Sequence, residues 1–113
     1  MIIPDYFKTS VPPDLITGYL LNKDHPLGKI KAEYLNKQGF TFKNRDKLLK
    51  QILLFPKKYV YSNFENVYNG GMVYKVTYNG NIICPNGSSF YLSTLWLLNI
   101  TSENLKLLTI SVL

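Results

Sequence analysis

The chain is poor in the residues on which much enzyme chemistry depends. Its 113 positions contain one histidine, His25, and one cysteine, Cys84. A single cysteine makes no internal disulfide, and these two residues alone cannot supply the three or four ligands of a zinc site, so no metal or other cofactor is expected. Cys84 precedes Pro85 and has no basic neighbour in sequence, which predicts a small packed thiol in place of a nucleophile. The glycines at 70, 71, 80 and 87 follow asparagines or one another and open no helix, so no phosphate-cradling nucleotide loop is expected. Long apolar runs are also missing. None approaches the roughly 18 residues of a membrane span, and MIIPDYFKTS has no basic segment leading into an apolar one. The expectation is a protein with no membrane association and no secretory signal, working in a reducing, cytoplasmic setting.

Acids are scarce too: seven against thirteen lysines and arginines, for a net charge of +6. The imbalance is local. Between Lys23 and Lys58 stand ten basic residues and three acids, a net of +7, whereas the rest of the chain has three basic residues and four acids. Such a segment attracts polyanions over a Debye length of about 8 Å, which favours RNA or an acidic protein as partner. Lysine-rich solvated helix faces are common, however, and charge alone leaves that plainer reading open.

A chain of this length is expected to form one domain, residues 1–113, around one core. Pro12-Pro13-Asp14 signals a helix start, with Leu15, Ile16, Tyr19 and Leu20 on one apolar face. A second helix is expected from Leu27 to Gln38, stopped by Gly39. Thr41 or Asn44 caps a third, with Leu48, Leu49, Ile52 and Leu53 as its stripe and Pro56 as its end. From Lys57 onward aromatic and β-branched residues predict strands at Tyr59–Phe64, Met72–Tyr78, Asn81–Cys84, Ser89–Leu98 and Leu105–Val112. Turns are expected at Asn69-Gly70-Gly71, Asn79-Gly80 and Asn86-Gly87. The predicted class is α+β: two or three N-terminal helices packed on one face of an antiparallel sheet of four or five strands.

The most specific chemistry lies at the start of the second helix. His25 precedes it by two residues, near backbone N–H groups that carry partial positive charge and attract anions. Pro26 restrains the chain there, and Gly28 leaves room for close backbone approach. Lys31 falls inside the predicted stripe of Leu27, Ile30, Tyr34 and Leu35, so its ammonium either snorkels outward or meets a partner. An imidazole that moves protons and an ammonium that stabilises developing charge are what metal-free RNA cleavage by the 2′-hydroxyl needs. A histidine before proline also serves as a plain loop or capping residue.

Two threonines on predicted strands, Thr94 and Thr109, are candidate hydroxyls for orienting a phosphate, although threonine is equally a packing residue in sheets. Alternation puts Thr94 with Trp96, and Thr109 with Leu107 and Ser111. Trp96 is expected in the core. Tyr59, Tyr61, Tyr74 and Tyr78 are candidate base-stacking rings or half-buried sheet residues.

The segment LLNKDHPLGKIKAEYLNKQGF resembles the leading motif of a bacterial toxin-like domain family, His-Pro-x-Gly-x-x-Lys-Ala followed by Gly-Phe. Gly71 to Tyr78, Pro85-Asn-Gly, Thr94-Leu-Trp96 and Leu107-Leu-Thr-Ile-Ser are similar to its later segments, in the same order. Ser111 departs from the aromatic usual there, and Leu113 ends the chain where a proline is common. The layout of that family looks like the barnase, EndoU and colicin-type ribonuclease group, which cuts RNA without metal. The resemblance implies a small metal-independent ribonuclease toxin, with tRNA among its candidate targets. It implies His25 and Lys31 as the polar pair, Thr94 and Thr109 as supporting hydroxyls, and an acidic immunity or antitoxin protein as partner. Lys29, Lys43, Arg45 and Lys47 are then expected to hold backbone phosphates. The alternative is a non-enzymatic RNA- or protein-binding module, such as a phage-encoded inhibitor of a host defence complex.

Overall fold

The computed structural model describes residues 3–4, 6–12, 29–67 and 72–112. The expected first helix around Leu15 to Leu20 and the Asn69-Gly70-Gly71 turn lie outside them. Strand β1 spans Lys8–Ser10, followed by helices α1 (Lys29–Lys37), α2 (Arg45–Leu53) and the single turn α3 (Phe55–Lys58). Four strands follow: β2 (Tyr61–Asn66), β3 (Val73–Ile83), β4 (Ser89–Asn99) and β5 (Asn104–Val112).

These strands form one five-stranded sheet in the order β1-β5-β4-β3-β2. β2 to β5 make an antiparallel meander, whereas β1 adds to the outer edge of β5 in parallel, pairing Lys8 with Asn104 and Ser10 with Lys106. This corrects the expected α+β arrangement. Among the described residues the sheet dominates, it is mixed and not purely antiparallel, and its first strand precedes the helices. Those helices are two of nine residues and one of four. The physical reason begins at the N-terminus: Ile3 and Phe7 are buried in the core and carry the next three residues to the sheet edge. Three residues are too few for a period-two pattern to be recognised in sequence.

A second correction concerns Asn79-Gly80, where a turn was expected. Both residues lie inside β3, an eleven-residue strand that fuses the predicted strands Met72–Tyr78 and Asn81–Cys84. Its long pairing with β4 runs unbroken from Val73–Asn99 to Ile83–Ser89. The reversal falls instead at Pro85 to Gly87, where Gly87 takes φ +86° in the Asn86-Gly87 turn. Pro56 likewise does not end the helical region. It occupies the first turn of α3, where proline's missing N–H costs nothing.

Alternation along the strands sorts the sheet into two faces. Val76, Tyr78 and Ile82 of β3, Leu92, Trp96 and Leu98 of β4, and Leu105, Leu107 and Ile110 of β5 are buried in one cluster with Leu35, Leu48, Ile52 and Phe55 of the helices. The other face is half-open, with Asn63, Thr77, Leu95 and Thr109 in one row across β2 to β5. Beyond Tyr78, β3 pairs with no strand on the β2 side among the described residues, and side chains satisfy that edge. Tyr59 Oη accepts from the Asn81 N–H at 3.2 Å and donates to its carbonyl at 3.3 Å. Two residues on, the Gln51 amide accepts from the Ile83 N–H at 2.7 Å and donates to its carbonyl at 2.9 Å. An edge capped in this way offers no template for another strand.

Candidate functional site

The basic segment is carried by the helical layer. Helix α1 buries Ala32 and Leu35, three positions apart, and leaves Lys29, Glu33 and Lys37 exposed. Gly39 ends it with φ +99°, allowing the Phe40 N–H to reach back to the Leu35 carbonyl at 2.9 Å while the Phe40 ring enters the core. Tyr34, expected in the apolar stripe, stands at its margin, edge-on to Phe90 with ring centroids 5.4 Å apart. Helix α2 buries Leu48 and Ile52 and turns Lys47 and Lys50 outward.

Between the two helices, Asn44 shapes the connecting loop. Its Oδ1 accepts from the Thr41 N–H at 2.7 Å and its Nδ2 donates to the Gly39 carbonyl at 2.8 Å. The side chain is therefore turned away from the helix N–H groups that a capping residue would bond. Lys43 is exposed on this loop, and Arg45 donates from Nη1 to the Phe42 carbonyl at 2.8 Å. The tip of the β3–β4 hairpin is held against the end of α1, where Gln38 Oε1 accepts from Asn86 Nδ2 at 3.1 Å and from the Ser88 hydroxyl.

Of the four expected catalytic residues, His25 lies outside the described residues. Lys31 belongs to the third position of α1, within the backbone that the structure describes.

The two threonines are described fully, and they do not share a site. Thr94 is 0% exposed, on the core face of β4. Its Oγ1 donates to the Tyr78 carbonyl at 2.8 Å and accepts from the Trp96 indole N–H at 2.7 Å. Burying a tryptophan strands its N–H unless an acceptor comes with it, and a threonine two residues earlier on the same face supplies one. This corrects the expected substrate-positioning role: the Thr94 hydroxyl is sealed in the core and committed to two partners there. The Thr-x-Trp spacing carried that signal in the sequence.

Thr109 is exposed on the opposite face, paired with Leu95, while its neighbour Ile110 pairs with Thr94. The expectation that Thr109 shares a face with Leu107 also fails. A bulge opposite Leu95 and Trp96 inserts Leu108 as an extra residue, so Leu107 is buried against the core and Thr109 is not. Sequence alternation alone does not reveal such a bulge.

Tyr78 is the sheet's other buried polar group of note. The residue is 1% exposed, and its hydroxyl finds no hydrogen-bond partner among the described residues. Burial, with a smaller contribution from Tyr61, pushes its pKa up to about 12. Cys84 is a buried free thiol, as its sequence context suggests. No helix among the described residues is long and apolar enough to cross a membrane.

Comparison with known proteins finds no curated protein and no solved structure that matches the chain. A family model does match, over residues 2–113, nearly the whole sequence. The chain belongs to the family described as a domain of unknown function, DUF6883.

Proposed function

We propose that this protein is a small, basic ribonuclease toxin that cuts RNA without a metal, through attack of the substrate's own 2′-hydroxyl. The observation that carries this reading is the distribution of charge. From Lys29 to Lys58 there are nine basic residues and two acids, and Lys29, Lys37, Lys43, Lys47, Lys50 and Lys58 are exposed while Arg45 is half-exposed. A surface of that kind concentrates a polyanion and binds it in a salt-dependent way. His25 moves the proton as general acid or base, and Lys31 stabilises the charged phosphorane. Thr94 has no part in this scheme, because its hydroxyl is internal. An acidic immunity or antitoxin protein is the natural complement to the same surface, and the cytoplasm of the affected cell is where both partners meet.

A second reading is a non-enzymatic RNA- or protein-binding module, such as a phage-encoded inhibitor of a host defence complex. It draws support from the burial of Thr94 on the face opposite Thr109, which leaves the polar machinery one hydroxyl smaller than the family resemblance implies.

Expression in a bacterium separates the two. The wild-type chain arrests growth, and His25→Ala or Lys31→Ala relieves the arrest, if chemistry is the mechanism. Equal harmlessness of all three chains supports the binding module.

A further inference from the structure

Phe42 is a large apolar residue left 61% exposed in the middle of the basic segment. Two residues earlier, Phe40 is fully buried and anchors the loop. Phe42 itself is not left loose. The Arg45 guanidinium carbon lies 4.2 Å from the Phe42 ring centroid, and the same guanidinium holds the Phe42 carbonyl through Nη1. The loop beneath is tied by both ends of the Asn44 amide. The result is a ring kept in water by a fixed backbone and a stacked arginine, with exposed Lys43 beside it and exposed Lys47 in the first turn of α2. Asp46 is the one acid among residues 40–50.

The geometry points to Phe42 and Arg45 as a stacking platform for an unpaired base of single-stranded RNA, with Lys43 and Lys47 holding the flanking phosphates. This inference rests on the proposed RNA reading and adds to it a substrate form, single-stranded in preference to duplex. Bases offer a flat π-face that an aromatic ring or a guanidinium plane accepts whatever the sequence, and a base inside a duplex has no free face to offer. The surrounding cations favour this occupant over an apolar protein surface, which would have to cover them.

The test uses a fluorescently labelled 2′-O-methyl oligonucleotide of about a dozen nucleotides, within the usual range of single-strand site sizes. That chemistry blocks attack by the 2′-hydroxyl, so binding is read without cleavage. Affinities are measured by anisotropy for the single strand and for its duplex, at several salt concentrations, with wild type, Phe42→Ala, Phe42→Leu and Phe42→Trp. Removing one stacking ring is expected to weaken single-strand binding about tenfold in both Phe42→Ala and Phe42→Leu. Duplex binding and the salt dependence stay at wild-type values, and Phe42→Trp retains affinity with its fluorescence quenched by the oligonucleotide.

Salt-dependent binding by wild type that is unaffected by Phe42→Ala overturns the platform, leaves the RNA reading intact and hands the ring to a protein partner. Equal losses on single strand and duplex overturn it as well, since stacking is then not what was removed. Absence of RNA binding by wild type overturns both the platform and the reading beneath it.

Discussion

The ring of Tyr59 crosses β3 where Gly80 has no side chain: a β-carbon on Gly80 would stand 2.2 Å from Tyr59 Cε2. The crossing places the Tyr59 hydroxyl on both backbone groups of Asn81 and stacks the ring edge-on to Phe55, with centroids 5.1 Å apart. Gly80 is thus a strand glycine kept for close approach. Gly80→Ala is expected to destabilise the fold by about 1–3 kcal/mol, as overpacking does. In a Tyr59→Ala background the same change costs a few tenths of a kcal/mol at most. A double-mutant cycle by urea unfolding measures the difference, with a coupling on the order of 1 kcal/mol or more as the expected result.

Thr94→Val keeps the shape of the side chain but removes the acceptor of the Trp96 indole N–H. A buried donor left without a partner costs about 1–3 kcal/mol, so chemical denaturation should show a loss of that size. Thr94→Ser restores most of it. RNA cleavage per folded molecule is expected to be the same in all three proteins, because the hydroxyl lies inside the core. A loss of cleavage in Thr94→Val without a loss of stability contradicts this assignment.

Tyr78 gives the fold a sensitivity to alkali. Below its ordinary pKa of 10.0 the phenol is neutral in folded and unfolded chains alike, so it adds no pH dependence. Between there and about 12 the unfolded chain loses the proton while burial keeps the folded one neutral, and stability falls as pH rises. The slope is about 1.4 kcal/mol per pH unit over that window. Tyr78→Phe removes both this slope and the orphaned hydroxyl, and is expected to be neutral or stabilising by up to about 1 kcal/mol near neutral pH. Urea unfolding of the two proteins at pH 8 and pH 11 checks both statements.

Much of the local structure was legible, and the failures have identifiable causes. Helix α2 follows from the spacing of Leu48 and Ile52, and the end of α1 from the glycine at 39. Strands β4 and β5 follow from alternation and fall within a residue of their expected limits. Asn79-Gly80 misled because the dipeptide is a strong hairpin signal locally, whereas its glycine answers to a ring twenty-one residues away in sequence. β1 was missed because three residues carry no pattern, and their strand character comes from the edge of β5. Both misses are tertiary in origin. Together they turn an expected helical layer over an antiparallel sheet into a sheet-dominated mixed fold.

The candidate site divides in the same way. The basic stretch is visible as charge in the sequence, and Lys29, Lys37, Lys43, Lys47 and Lys50 are exposed in the structure. Thr94 misleads in sequence because side-chain alternation gives a face but not its burial. A single bulged residue, Leu108, then put Leu107 and Thr109 on different sides. Phe42 is not legible in sequence, because one phenylalanine in a loop carries no signal until its exposure and its arginine are seen together.

The most direct measurement is cleavage of a labelled single-stranded RNA by purified protein in the presence of a chelator, with a copy of the substrate carrying 2′-deoxy sugars as control. The account predicts cleavage of the RNA that survives chelation, spares the deoxy copy and leaves 2′,3′-cyclic phosphate ends, and that is lost in both His25→Ala and Lys31→Ala. Intact RNA after incubation with folded wild-type protein, or cleavage that persists undiminished in both variants, contradicts it.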